Sequence, residues 1–381
     1  MRLARRTALG AALAAALAYT AAAPATAHSG SDGPPTATVG TAGVERVDTG
    51  SDGGQFGTYV YGGPISASGR FAAFTATGPA PDCPASGAVC VYLKDLRTGA
   101  LIRVPDTQYY ASGPLLGADA KIVAYSSGNR FTKPYVYDRV TGTTRQLWPA
   151  DGGGRYELGT AQAVSADGRY VAYTVGNRTP PAYESELYVR DLATGTDTRV
   201  LAPPLEGQLT NVMLSADGRT LAYGMLVPGG SDRTGRVYVE DLGSGVTVRA
   251  DTDDYGDSAL AALSADGRRV LLGSRSYPDG VDSARLVDLA SGHVRRLGPD
   301  GVRPAAADPA VRHVLLTDGT DALSLLDVRT GARRTVTTSA ALAVPGSVSR
   351  GGRAVEFRSE APDLVPGDTN GVADVFVSHP R

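Results

Sequence analysis

One nine-residue run organises the chain. S-A-D-G-R-Y-V-A-Y at 165–173 returns as S-A-D-G-R-T-L-A-Y at 215–223 and as S-A-D-G-R-R-V-L-L at 264–272. Looser copies begin at Ser66, Gly117, Asp308 and Ser349. A basic residue marks the register in all of them: Arg70, Lys121, Arg169, Arg219, Arg268, Arg312 and Arg353, spaced by 51, 48, 50, 49, 44 and 41 positions. A period of that size belongs to propellers and solenoids, whose repeats bury their apolar faces only against their neighbours.

A second signature comes after each of the first six copies. D-x-x-[TS]-G starts at Asp95, Asp138, Asp191, Asp241, Asp288 and Asp327, and a short alternating run such as D-T-R-V at 197–200 succeeds it. Both signatures are hairpin chemistry: the aspartate side chain caps the turn, and the glycine takes the positive φ of a bulged connection. Each repeat therefore reads as four short antiparallel strands, which is a β-propeller blade. No segment sustains a 3.6-residue apolar period, which excludes a helical solenoid. Seven copies predict an all-β, seven-bladed propeller, with six blades as the alternative because the Asp308 copy is degenerate. The last copy lacks its D-x-x-T-G turn, and V-E-R-V at 44–47 resembles an orphan fourth strand. The N-terminal strand is thus expected to complete the last blade and close the ring.

Ahead of the repeats, Arg2, Arg5 and Arg6 precede an Ala/Leu-rich stretch at 7–19 and an A-T-A site at 25–27. This is the pattern of a secretory signal. Residues 1–27 read as that signal, 28–43 as a flexible linker and 44–381 as the propeller. The full chain has 37 basic and 39 acidic residues, and removing the signal takes away three arginines, leaving 34 against 39, a net of −5. Such a balance argues against nucleic acid as a partner. A secreted, monomeric protein is expected. Cys83 and Cys90, the two cysteines, are then expected to pair as a disulfide closing a small loop.

The motifs S-A-D-G-R-x-[VL]-A-Y, D-L-x-T-G and V-P-G-D-T-N-G-V-A-D-V-F-V (365–377) resemble those of TolB-type, WD-repeat-like propellers of secreted bacterial proteins. The resemblance runs from about residue 44 to 377 and implies architecture more than activity, because the matched residues build turns and strands. TolB itself binds partner proteins through its propeller and an additional N-terminal domain, for which 28–43 is too short. Propeller lyases similar to this family hold a metal with several histidines. The four here, His28, His293, His313 and His379, are not placed to converge.

Candidate ligand groups fall in the connections between blades and between second and third strands, the face on which propellers usually bind. Tyr109, Tyr110 and Trp148 are expected either to pack between blades or to contact a peptide or glycan, beside the loop held by Cys83 and Cys90. Asp251, Asp253, Asp254 and Asp257 form an acidic loop between blades four and five. Asp253 and Asp254 could bind ligand or, with a carboxylate from another blade, act in a carbohydrate hydrolase or lyase. Asp368, Asn370 and Asp374 have the alternating oxygens of a calcium loop, or of an ordinary Asn-Gly turn. The expectation is a non-enzymatic module binding a protein, peptide or glycan on its inter-blade face, with a carbohydrate-active hydrolase or lyase as the alternative. No cofactor beyond calcium is suggested.

Overall fold

A computed structural model describes residues 43–380 apart from 84–86, 107–109, 118, 151–155, 178–184, 201–206, 230–231 and 277–278. The expected signal, nearly all of the linker and Tyr109 lie outside the described residues. The described residues form seven four-stranded sheets and no α-helix. In blades one to six the strands lie in chain order; blade one, for example, is Val60–Ile65, Phe71–Thr77, Val89–Asp95 and Leu101–Arg103. In blade seven, Ala341–Leu342, Val355–Ser359 and Asp374–Ser378 are joined by Val44–Arg46 from the other end of the chain. That strand pairs Val44 with Ser378, Glu45 with Val377 and Arg46 with Phe376. The ring is therefore closed by the N-terminal strand, and it has seven blades rather than six.

The repeated residues make the repeated turns. In the three clear copies, Ser165, Ser215 and Ser264 each donate Oγ–H to the aspartate two positions on at 2.6 Å. The same Oγ accepts the N–H five positions on, from Tyr170, Thr220 and Arg269, at 2.9 Å. The degenerate sixth copy keeps this geometry with a different atom. Asp308 Oδ1 accepts the N–H groups of Arg312 and His313 at 2.7 and 2.9 Å, so one carboxylate oxygen replaces the serine hydroxyl. In all six D-x-x-[TS]-G turns the glycine N–H returns to the aspartate carbonyl at 2.8 Å, with glycine φ between +68° and +77°, a conformation that a Cβ disfavours. In blades one and three the marker arginine ties the two turns together through a forked ion pair: Arg70 to Asp95 and Arg169 to Asp191, closest at 2.6 and 2.7 Å. This holds both carboxylates down at about 2.

Second strands are covered on both faces, as their nearly continuous apolar runs require. Their aromatic position stacks on the paired third strand: Tyr125 on Tyr135, Tyr173 on Tyr188, Tyr223 on Tyr238 and Phe357 on Phe376, centroids 5.6–5.8 Å apart. First strands are innermost, and in blades one to six each carries a register shift. Such bulges re-aim side chains locally. First strands start on the face with the inter-blade connections and end at the S-A-D-G turns, which defines the two faces of the disc.

The seam of blade seven buries acids. Asp48 and Asp374 have no solvent exposure; the Val375 N–H donates to Asp48 Oδ1 at 3.0 Å, and Asp374 is the neighbouring acid. Arg46 lies 3.1 Å from both Asp374 and Asp368, and Lys94 donates to Thr49 and Gly50 nearby. Burial, then the neighbouring Asp374 carboxyl, pushes Asp48 up to about 8. Glu356, wholly buried where blade seven meets blade one, is also raised by burial although the Gly63 N–H donates to it at 2.9 Å. A folded pKa above the unfolded value means the native state keeps a proton that the unfolded chain gives up. The associated stability is full below about pH 4 and is lost as pH rises through 8. Urea titrations should show a fall of roughly 2–4 kcal/mol between pH 5 and 9, flattened in Asp48→Asn. A wild-type profile level across that window would contradict the raised pKa of Asp48.

Candidate functional site

The inter-blade face over blades one to three gathers the aromatic residues of the connecting loops. Its anchor is the connection after Phe71–Thr77, closed by the Cys83–Cys90 disulfide with Cα atoms 6.1 Å apart. Both cysteines are buried. The Tyr92 hydroxyl donates to the Pro81 carbonyl at 2.6 Å, and Phe56 meets Phe74 and Tyr92 edge-on at 5.7 and 5.5 Å. A hydrophobic cluster thus fixes the base of the loop.

Tyr110 lies beside that loop, bridged to Val89 just ahead of Cys90, and keeps 38% of its surface exposed. Trp148 is half-buried: it meets Tyr156 edge-on at 6.2 Å, and the Lys133 ammonium sits 3.8 Å over its ring. Lys133 also donates to the Glu157 carbonyl at 2.6 Å, and burial lowers its pKa. Phe131, Lys133 and Glu157 line a groove of about 300 Å³ between blades two and three. Trp148 is therefore a wall behind Lys133, while Phe131, 44% exposed, is the open aromatic. Phe131 did not stand out in the sequence, and neither did Tyr59 and Tyr61, exposed at 63% and 56% where the first strand of blade one begins. Their signal was present in T-Y-V-Y-G at 58–62, where aromatics precede an inner strand and so stand at its open end.

The acidic loop between blades four and five is not a set of free carboxylates. Asp251 is buried and accepts the Val237 N–H at 2.8 Å, with Arg249 at 2.9 Å. Asp253 is paired with Arg249 at 2.7 Å and Arg236 at 3.4 Å, which lowers its pKa. Asp257 accepts the Gly235 N–H at 2.7 Å. Asp254 stands exposed in the single turn Asp253–Tyr255. Two arginines from the third and fourth strands of blade four thus occupy the loop from beneath, something its own sequence does not disclose.

Asp368, Asn370 and Asp374 do converge. Asn370 donates its amide to Asp374 at 2.7 Å and to the Phe56 carbonyl at 2.9 Å, while its own Oδ1 accepts the Val372 N–H. The positive charge between Asp368 and Asp374 is the Arg46 guanidinium. Among the described residues no group of three or more His, Cys, Asp or Glu is arranged to hold a metal ion. His293 and His313 lie on the opposite side of the disc, at the turns.

No protein-family model matches the sequence, and no curated protein does. Among solved structures the chain is similar to an oligogalacturonate lyase in complex with manganese, at 13% identity over 90% of this chain and 95% of that one, with a TM-score of 0.64. It is also similar to the propeller domain of the Trilobed protease from Pyrococcus furiosus, described as having an open velcro topology: 12% identity, 84% and 95% coverage, TM-score 0.56. TolB proteins are among the neighbours too, including TolB from Acinetobacter baumannii at 22% identity and TM-score 0.49, over 71% of this chain and 64% of that one. What they share is the fold. An activity does not transfer with it.

With Arg46 as the resident cation, Arg46→Met should destabilise the protein by about 3–5 kcal/mol, since it strands buried carboxylates. Millimolar calcium should leave the wild-type melting temperature where EDTA leaves it. A calcium-dependent rise of several degrees would instead make Asp368, Asn370 and Asp374 cation ligands.

Proposed function

We propose that this protein is an extracytoplasmic recognition module that binds a protein, peptide or glycan on the inter-blade face over blades one to three. The observation that carries this reading is the placement of its exposed aromatics. Tyr59, Tyr61, Tyr110 and Phe131 all stand on one face, around the disulfide-held loop and the groove beside Lys133. Exposed rings grouped on a fixed rim are a recognition surface: they offer apolar faces for stacking at little cost in side-chain entropy. The Cys83–Cys90 disulfide supports an oxidising compartment, in keeping with the secretory pattern of residues 1–27. No helix among the described residues is long and apolar enough to cross a membrane.

A hydrolase or lyase reading needs a pair of carboxylates free to act on substrate. The acidic loop of blades four and five, its strongest sequence candidate, has Asp251 and Asp253 bound to Arg249 and Arg236. That sets recognition ahead of catalysis.

Screening the mature protein against glycan and peptide arrays should yield saturable binders. Tyr110→Ala combined with Phe131→Ala should weaken them at least tenfold by calorimetry, with the fold intact by circular dichroism. Binders that hold the double variant as tightly as wild type would place recognition elsewhere.

A further inference from the structure

The opposite face, built from the turns, has a chemistry of its own. In blades one and three the marker arginine is spent on the D-x-x-T-G aspartate. In blades five and six the aspartate is present and makes its turn bonds, but it forms no ion pair with the marker arginine. Asp288 accepts the N–H and hydroxyl of Ser291 at 2.9 and 2.7 Å. Asp327 accepts the N–H groups of Arg329 and Thr330 at 2.8 and 3.0 Å. Blade seven has no such turn at all, because its outer strand comes from the N-terminus. The marker arginines there are left over: Arg268, Arg312 and Arg353, with Arg329 and Arg350 beside them, are exposed and form no ion pair with a described residue.

Backbone contacts draw these turns together. The Ala265 N–H donates to the Pro309 carbonyl at 2.7 Å, and the Gly351 N–H donates to Asp308 at 3.1 Å. The turns of blades five, six and seven therefore stand in one contiguous arc. Of the acids within it, Asp308 is buried and serves three N–H groups, while Asp288 and Asp327 are half-buried in their turns. Among the described turn residues of this arc, Asp266 and Glu45 are the exposed acids. Asp266 accepts the Ser264 hydroxyl, and Glu45 faces His379 at 3.3 Å. Around the same face, blades three and four carry exposed Asp167, Asp217 and Asp241. Exposed arginines without an ion pair are thus denser over blades five to seven than over blades three and four, where Arg219 is the one such marker among the described residues.

From this we infer that the arginine arc of blades five to seven docks an acidic polysaccharide. Unpaired guanidinium groups present forked donors matched to carboxylate and other oxyanions. A broad anionic surface, such as a bilayer, would lie over Asp167, Asp217 and Asp241 as well and be repelled there. A single narrow chain can track the arginine arc alone. This site is separate from the aromatic face and does not depend on it.

Alginate, a polyuronate, is the probe. The mature protein should be retarded in alginate affinity electrophoresis at low salt, with retardation fading as salt screens the charges. The combined change Arg268→Gln, Arg312→Gln and Arg353→Gln should weaken binding at least tenfold. Arg353→Glu alone should weaken it severalfold, and Arg169→Gln with Arg219→Gln on blades three and four should leave it within twofold. Melting temperatures serve as the check on folding. No retardation by alginate, equal losses in the blade three and four variant, or stronger binding to duplex DNA or phosphatidylglycerol vesicles than to alginate would each overturn the assignment.

Discussion

Everything in this molecule depends on closing the ring. A blade exposes two apolar faces, and each is covered only if the next blade is present, so a ring with one gap leaves two faces wet. The closure is made by three residues, Val44–Arg46, laid against Asp374–Ser378. Bringing chain ends more than three hundred residues apart together costs on the order of 5 kcal/mol in loop entropy, which a three-residue strand does not offset through hydrogen bonds alone. Side chains in and just after that strand supply the remainder. Val47 enters the core shared by blades seven and one, Asp48 caps the Val375 N–H, and Arg46 holds Asp368 of the last second-to-third-strand loop and Asp374 at the start of the third strand.

That requirement explains a chemistry otherwise out of place. Asp48, Asp374 and Glu356 are buried carboxyl groups in a core built from Val, Ala, Leu and aromatic residues. Glu356 occupies the position that holds Ala124, Ala172 and Ala222 in other blades. Buried polar groups add little stability but penalise every arrangement that leaves them unpaired. Set at the one seam not defined by chain continuity, they favour a single register for the closing strand, because sliding by one residue would part Asp48 from the Val375 N–H and Arg46 from Asp374.

Architecture was legible in the sequence because its determinants are local. Ser264, Asp266, Gly267 and Arg268 complete their hydrogen bonds within five residues of one another, so the motif is the structure. Even the sixth copy obeys this logic, once Asp308 is read as a serine substitute. The candidate site on the inter-blade face was legible only as to which loops form it. Whether Trp148 or Phe131 is the open ring depends on Lys133 and Tyr156, and whether Asp253 is free depends on Arg249 and Arg236. Arg46 is more than three hundred positions from Asp368. None of these distances is written in a window of sequence.

The two faces differ for one reason. On the turn face every blade solves the same steric problem, so its residues repeat. Departures there are informative, since a marker arginine without its aspartate is a charge that the fold no longer uses. On the inter-blade face no such repetition constrains the connections: they range from a disulfide-closed loop in blade one to a short Gly-Asn-Arg turn at 128–130 in blade two. What stands exposed there is set by each connection separately, and the grouping of four exposed aromatic rings over neighbouring blades is therefore not a by-product of the repeat. A repeat explains sameness. The exposed aromatic rings among the described residues do not follow from it, and the recognition surface proposed above is built on them.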